Sequence, residues 1–291
     1  MPCPQVLEEL EGPETNTAIE VCAIHPADNS TNRPRGWRQL YRCRYATLWD
    51  GECYSAHVRF KDFDPHDIRA LPNYTVLEVS HYLRIAPSTL KSWMTGRDYP
   101  VQGGQRRFHR LIRPAQDEPA YLLSFINLVE AHVLHSIRHI HQVKLRRVRS
   151  ALDYVERQFG DRHPLATQQF QTDGIDLFIE KLGSLIIASA GGQVALREAF
   201  EAHLKRVEHD LHGIAARLFP FTRPSHADQP KIIVIDPRVS FGRPIIVGSG
   251  IPTSAIVERY HAGESTEHLA KDYRRSPEEI EEAVRCETSR A

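Results

Sequence analysis

Apolar positions follow a helical period from Tyr74 onward and predict two short helices separated by a tight turn. Thr75 can cap the first helix, and Pro87 suits the first position of the second helix. Gly96 ends the pattern, as glycine commonly does after a helix. The positions expected to face inward are Val76, Val79, Leu83, Leu90 and Trp93. Two short helices joined in this way form a helix-turn-helix.

A basic hairpin is predicted directly after the helix-turn-helix, in the stretch DYPVQGGQRRFHRL at 98–111. Gly103 and Gly104 suit a two-residue turn between two extended runs. A basic hairpin in this position is typical of the wing of a winged helix-turn-helix. Two longer helices are then expected over residues 121–140 and 144–158.

The pattern changes from helical to extended between residues 166 and 190. The runs ATQQFQ, IDLFIE and SLIIAS contain many residues that favour strands, and Gly174 and Gly183 separate them. We therefore predict a small central β-meander, followed by a helix at 193–208 and by a further strand in IAARLFPF.

The C-terminal part is predicted to combine a short hairpin with helices. KIIVIDP and RPIIVGSG have the character of two strands, and helices fill residues 252–285. A two-stranded hairpin is marginal by itself, so these strands should pair with the central sheet or with a second subunit. In YRRSPEEIEEAVR, the residues Ser276, Pro277 and Glu279 form a helix start signal, which outlines a second helix-turn-helix.

Together these elements predict an α+β protein. Its parts are an N-terminal winged helix-turn-helix, a small central β-sheet with a helix, and a C-terminal β-hairpin followed by a helix-turn-helix-like three-helix domain. The beginning of the chain shows no periodicity and is expected to be partly disordered, with a hairpin at 40–60 around Asp50-Gly51. The expected ranges are 1–70 for this leader, 71–160 for the winged helix, 161–228 for the central part and 229–291 for the C-terminal domain.

The net charge by itself points to no partner, because 37 Lys and Arg balance 37 Asp and Glu. The distribution is uneven, since residues 74–160 hold 13 Lys and Arg against 7 Asp and Glu, a net charge of +6. A phosphate-binding face is therefore expected in that segment. No signal peptide or long apolar run is visible, and the five cysteines form no CxxC pair, which favours a cytoplasmic protein with reduced thiols.

The stretch YTVLEVSHYLRIAPSTLKSW resembles the first helix-turn-helix of MerR-like winged-helix proteins. The C-terminal stretch IDPRVSFGRPIIVGSGIPTSAIVERYHAGESTEHLAKDYRRSPEEIEEAVR resembles a small domain of prokaryotic toxin–antitoxin loci. That domain is usually described as a domain of unknown function or as a VapB-type antitoxin. A chain with both parts resembles the long form of these antitoxins, which are encoded beside PIN-like ribonuclease toxins. The resemblance covers about residues 74–285.

The resemblance implies a cytoplasmic antitoxin of a type II toxin–antitoxin system. Such a protein would neutralise a PIN-like ribonuclease by direct binding and repress its own operon by binding operator DNA. We expect a homodimer that has neither catalytic activity nor a cofactor, and the sequence shows no hydrolase or phosphate-loop pattern. The alternative is a MerR-like ligand-responsive transcriptional regulator without a toxin partner, which would sense a small molecule through residues 161–225.

Polar and basic residues of the predicted winged helix are the candidate DNA contacts. Small hydroxyls and a lysine on the exposed side of the second helix suit phosphate contact and modest base reading, and arginines of the wing suit the phosphate backbone. The candidates are Ser88, Thr89, Lys91 and Ser92 on the helix, and Arg97, Arg106, Arg107 and Arg110 around the wing.

A second basic run, VKLRRVR, lies at the predicted start of a helix, where the helix dipole disfavours cations. An anionic partner, either DNA or an acidic toxin surface, would offset that cost. A solvated surface is an equally good interpretation. The cations of this run are Lys144, Arg146, Arg147 and Arg149.

Two further clusters have a structural interpretation. His132, His135 and His139 share one helix face, but only Glu130 accompanies them, so we predict surface or interface histidines and no metal site. The glutamates at 278, 279, 281 and 282 would repel DNA phosphates. The C-terminal helix-turn-helix is therefore predicted to pack or to bind a partner protein instead of reading DNA.

Overall fold

The computed structural model describes residues 64, 66–101, 104–117, 121–139, 145–186, 190–223 and 229–288. The hairpin predicted at 40–60 lies outside these residues. From Arg59 to Ala291 the chain forms one compact unit. Residues before position 71 also contact this unit, because the Arg69 guanidinium donates a hydrogen bond to Asp210 over 2.7 Å. Within the described residues, no helix is long and apolar enough to cross a membrane.

The helix-turn-helix forms as the sequence predicts. After the short strand β1 (Tyr74–Thr75) come α1 (Val76–Leu83) and α2 (Pro87–Thr95). Thr75 and Glu78 form a reciprocal capping box at the start of α1, which satisfies backbone donors that the helix itself cannot satisfy. The inward residues Leu90 and Trp93 are buried.

The hairpin predicted after the helix-turn-helix, called the wing below, is present and is followed by two helices. Strands β2 (Arg97–Val101) and β3 (Gly104–Phe108) pair in antiparallel register, and β4 (Leu122–Leu123) pairs with β1. Helix α3 (Phe125–His135) comes next, and its first ten residues are all buried. Helix α3 is therefore the central helix of the front part. Helix α4 (Leu145–Phe159) confirms the second predicted helix.

The β-meander predicted between residues 166 and 190 is wrong, because this segment is mostly helical. A π-helical turn (Phe170–Gly174) leads into α5 (Ile175–Ile186), and α6 (Ala190–Leu204) follows. The apolar residues of α5 that are buried lie at helical spacing: Ile175, Phe178, Ile179 and Leu182. Gly174 lies at the end of the π-helical turn and not in a turn between strands. A Cβ at this position would collide with the Phe170 ring.

Two small hairpins connect the middle of the chain with the C-terminal part. Strand β5 (Val207–His209) pairs with β6 (Ala215–Leu218), which confirms the strand predicted in IAARLFPF. Strand β7 (Ile233–Val234) pairs with β8 (Ile245–Ile246). Leu218 and Ile235 exchange backbone hydrogen bonds of 3.0 and 2.8 Å. The C-terminal hairpin therefore extends the central one, as expected for a pair of strands this short.

The three C-terminal helices are α7 (Thr253–His261), α8 (Thr266–Tyr273) and α9 (Pro277–Thr288), and they enclose a separate apolar core. Helices α8 and α9 repeat the geometry of α1 and α2. Each pair has a hydroxyl N-cap, a left-handed arginine after the first helix and a proline that opens the second. The corresponding residues, 190 positions apart, are Thr75 and Ser265, Arg84 and Arg274, and Pro87 and Pro277.

Polar contacts join the C-terminal part directly to the first helix-turn-helix. Tyr74 Oη donates to the Gly242 carbonyl over 3.0 Å. The Arg243 guanidinium lies 2.6 Å from Glu78, and it also lies over the Tyr74 ring. His81 Nε2 lies 3.1 Å from Glu287 Oε2 on α9. These contacts hold the C-terminal part against the first helix-turn-helix within one compact unit.

Candidate nucleic-acid interface

Helix α2 presents its predicted polar face to solvent. Ser88 and Lys91 are exposed, and Thr89 and Ser92 are half-buried. The Ser92 hydroxyl donates to the Thr89 carbonyl over 2.7 Å, so its proton is used inside the helix. Ser88 and Lys91 are therefore the two side chains of this set most open to an external ligand.

The wing carries its arginines on both strands and at its base. Arg97 pairs with Phe108 at the base of the hairpin. Arg106 and Arg107 occupy neighbouring positions on β3, and Arg107 is exposed. Arg110 is exposed too and forms an ion pair of 3.0 Å with the exposed carboxylate of Asp117. Such surface pairs contribute little stability, so Arg110 can exchange this partner for a phosphate at small cost.

Arg149 is not available to an external partner, which corrects its assignment as a candidate contact. Its side chain is only 11% exposed and ion-pairs with Asp153 and Glu156 at 2.5 Å each. It also donates to the carbonyls of Arg110 and Leu111 over 3.3 Å. Although burial lowers the pKa of Arg149, the hydrogen bond with Asp153 and the charges of both carboxylates raise it above its usual value.

Arg149 therefore connects α4 to the segment that leaves the wing. Of the other cations in this run, Arg146 is exposed, Arg147 is half-buried, and Lys144 lies outside the described residues. A residue predicted to bind an external anion thus has an internal structural role. Among the described cations of this run, Arg146 is the one whose exposure best suits contact with an external partner.

His132 is not a surface residue, which corrects the prediction at this position, while His135 is half-buried. His132 is buried, and its Nε2 lies 3.0 Å from the His203 carbonyl, which identifies Nε2 as the protonated nitrogen. Burial, and then the neighbouring His203, hold the pKa of His132 well below its usual value. Across the described part of the chain, no group of three or more His, Cys, Asp or Glu is placed to hold a metal ion.

The glutamates of α9 do not form a continuous acidic face. Glu279 accepts a hydrogen bond from the Ser276 amide over 2.8 Å and so caps the helix. Glu282 is fully buried and accepts from Arg223 over 2.7 Å, with Arg285 as a second partner. Only Glu278 and Glu281 are exposed. Two of the four glutamates, and not all four, would therefore repel DNA phosphates from the surface of α9.

The repeat places Glu278 and Glu281 at the same positions of their helix as Ser88 and Lys91 in α2. The two helix-turn-helix units thus present equivalent surfaces of different charge. Because duplex phosphates attract cations, the charge of α2 suits contact with DNA better than the charge of α9 does.

A cavity of about 300 Å³ lies between the π-helical turn and α6. Ile175 and Leu204 form its apolar floor, and Gln171, Arg197 and Lys205 are among its polar lining residues. Arg197 is ion-paired with Asp176 on α5. All of these lining residues belong to the 161–225 region, which the alternative prediction of a ligand-responsive regulator assigns to ligand binding.

The chain is similar in sequence to known proteins. Residues 233–285, which run from β7 into α9, match the family described as a protein of unknown function, DUF433. Over 231 residues the chain is 28% identical to "Putative antitoxin VapB45" of Mycobacterium tuberculosis, covering 74% of this chain and 93% of that protein. It is 26% identical over 218 residues to "Uncharacterized protein Rv2308" of the same organism, covering 72% and 88%.

The fold also resembles a solved structure. The crystal structure of Rv2018 from Mycobacterium tuberculosis aligns with a TM-score of 0.54 and 23% sequence identity, covering 78% of this chain and 99% of that chain. This chain thus combines a helix-turn-helix and a β-hairpin with a region that matches the DUF433 model, and most of its length is similar to a protein named "Putative antitoxin VapB45".

Proposed function

We propose that the protein is the antitoxin of a type II toxin–antitoxin system, binding a toxin protein directly and repressing its own operon as a DNA-binding homodimer. The observation that carries the proposal is the similarity to VapB45, which extends over 74% of the chain. A non-enzymatic regulator located in the cytoplasm fits that similarity. A PIN-like ribonuclease remains the predicted toxin.

The surface of α2 and the wing supports the DNA-binding half of the proposal. Lys91, Arg107 and Arg110 are exposed on this surface, and phosphate neutralisation supplies most of the affinity of such proteins for DNA. The symmetric dimer is a natural match for a palindromic operator, because each copy would contact one half-site.

Co-expression with the product of the neighbouring gene tests the antitoxin half. We expect a stable complex on copurification, and suppression of the RNA cleavage that the neighbouring protein shows without this chain. Failure of the two proteins to copurify would refute the antitoxin role.

The salt dependence of operator binding tests the wing. Replacing Arg106 and Arg107 together with alanine should weaken binding and lower the salt slope by about two, since each lost phosphate contact contributes about one. Arg197→Ala serves as the matched control, because this exposed arginine lies on α6 and pairs with Asp176. A slope unchanged by the double replacement would exclude the wing from the DNA interface.

One observation favours a second candidate, the ligand-responsive regulator. The cavity beside the π-helical turn is lined by polar and apolar groups together, and π-helical turns are frequent at functional sites. That regulator would bind operator DNA and form no complex with the product of the neighbouring gene. The copurification experiment therefore separates the two candidates.

A further inference from the structure

A left-handed turn in the C-terminal part holds an aromatic side chain in solvent. Ser240, Phe241 and Gly242 have consecutive positive φ angles of 48°, 53° and 72°. This backbone region is strained for residues with a side chain, and especially for a bulky one. Phe241 is 87% exposed, so burial of its ring does not offset the strain.

Neighbouring residues fix the turn from several sides. Asn73 Nδ2 donates to the Phe241 carbonyl over 2.8 Å, and Tyr74 Oη donates to the Gly242 carbonyl over 3.0 Å. The Ser240 hydroxyl donates to the Gly250 carbonyl over 3.1 Å. The fold therefore presents the Phe241 ring from a backbone whose position is already set. Strained positions held in this way are concentrated at functional sites.

Other exposed apolar side chains lie on the two segments that meet at this turn. Leu77, on α1, is 70% exposed. Ile68, Leu71 and Val239 are exposed as well. Asn73 links residues 68–77 to the turn through its hydrogen bond to Phe241. Val239 and Phe241 are exposed on the same short turn, and exposed apolar residues that lie together are characteristic of surfaces that contact another protein.

The charged groups near the turn indicate the chemistry of that protein. Arg238 is 58% exposed, while its partner Asp236 is only 4% exposed. Arg217 binds the same buried carboxylate over 3.0 Å. Arg217 also lies 3.6 Å from Glu208. The exposed Arg238 guanidinium therefore offers hydrogen-bond donors to the surface, whereas the Asp236 oxygens are used internally. A complementary protein would supply carboxylates around an apolar cleft.

A second copy of this chain is a poor match for the same surface. A symmetric dimer places identical patches against each other. Here that arrangement would set the exposed Arg238 guanidinium of one copy near that of the other, and like charges repel. The surface therefore favours a different protein.

We propose that Phe241 anchors the docking surface for a protein partner that has an apolar cleft bordered by carboxylates. The inference rests on the antitoxin function proposed above, because the toxin is then that partner. Buried aromatic anchors dominate the affinity of many protein interfaces. The fixed turn would let Phe241 fill the cleft without a further loss of backbone freedom.

Binding of the purified product of the neighbouring gene, measured by biolayer interferometry with the full-length chain, tests the proposal. Phe241→Ala should weaken binding by about 30-fold or more, the effect of an interface hot spot. Tyr260→Ala is the matched control, since Tyr260 is an exposed aromatic residue on α7, and it should change affinity less than about 3-fold. Both variants should keep the wild-type circular dichroism spectrum.

The outcomes distinguish this inference from the proposed function. If the wild-type chain does not bind the neighbouring protein, the antitoxin function fails and this surface loses its partner. If the wild-type chain binds and Phe241→Ala binds equally well, this inference alone is refuted. A wild-type oligomer that dissociates in the Phe241→Ala variant, shown by light scattering, would assign the turn to contact between copies and also overturn the proposal.

Discussion

Gly242→Ala tests how closely the C-terminal part approaches the first helix-turn-helix. Gly242 has a φ of +72°, and a Cβ there would collide with the Tyr74 hydroxyl and lie 3.1 Å from Asn73 Nδ2. Alanine would therefore be strained by its backbone angle and would also displace a buried hydrogen bond. Both neighbours belong to the front part of the chain, and Tyr74 is fully buried, so relief of the collision requires its packed ring or the turn to move.

Three contributions lower the free energy of unfolding of the Gly242→Ala variant. A left-handed conformation costs an alanine about 1–2 kcal/mol. Insertion of a methyl group into a filled site typically costs about 1–3 kcal/mol, and loss of the bond between Tyr74 Oη and the Gly242 carbonyl about 1 kcal/mol. We expect the free energy of unfolding to fall by about 4 kcal/mol. Urea unfolding followed by far-UV circular dichroism measures it.

Gly248→Ala is the matched control, because Gly248 has a φ of +69° and nothing within 4 Å of an added Cβ. It should cost only the backbone strain, about 1–2 kcal/mol. In a Tyr74→Phe background, which lacks the colliding hydroxyl, Gly242→Ala should cost about 1–2 kcal/mol less than in the wild type. Equal costs for the two glycine replacements would refute the reasoning that close approach at Gly242 joins the two parts.

Two further predictions concern buried charge and buried histidine. Arg149→Gln should lower the free energy of unfolding by about 2 kcal/mol, because Glu156 would lose one of its two arginine partners and keep Arg113. Exposed Arg146→Gln on the same helix should stay within about 0.5 kcal/mol of the wild type. Equal urea midpoints for these two variants would contradict the internal role of Arg149. The lowered pKa of His132 means that the unfolded chain binds a proton more readily than the folded protein as pH falls below about 6.5. The protein is therefore fully stable with respect to this residue above that pH and loses stability below it. The fall in the free energy of unfolding between pH 8 and pH 5 should be about 2 kcal/mol smaller in His132→Gln than in the wild type. An identical fall in both proteins would show that His132 does not titrate in this way.

The helix-turn-helix could be predicted because its signals are local. Thr75 and Glu78 satisfy each other across one helical turn, and Pro87 needs only its own ring geometry to favour a helix start. The same holds for Ser276 and Glu279 at the start of α9. Interactions between residues three or four apart are visible in any sequence, so these elements required no knowledge of the fold.

The middle of the chain shows where local signals failed. IDLFIEKLGSLI contains enough β-branched residues to suggest strands, and Gly174 before it and Gly183 within it suggested turns. Its buried residues nevertheless lie at helical spacing, and Gly174 is required because Phe159 and Phe170 leave no room for a side chain. Burial on one helix face outweighed a weak preference for strands. Only the packed neighbours show which period the segment follows.

Charged residues were the least predictable part of the candidate sites. Arg149 had the sequence signature of a surface cation, and its partners lie on its own helix and at the base of the wing. Glu282 had the signature of a surface acid, and its partner Arg223 lies 59 residues away. A charge can be buried only where an opposite charge is brought to it. Which charges remain available to DNA or to a protein therefore depends on contacts between distant segments.

The sequence alone therefore determined the two helix-turn-helix units, the wing and the basic character of the front part, because capping, turn chemistry and periodicity act over a few residues. The tertiary structure decided that α5 is a helix, that Arg149, His132 and Glu282 are internal, and that Phe241 is presented to solvent. Each of these depends on which distant groups share a buried environment, and that is decided only when the chain has folded.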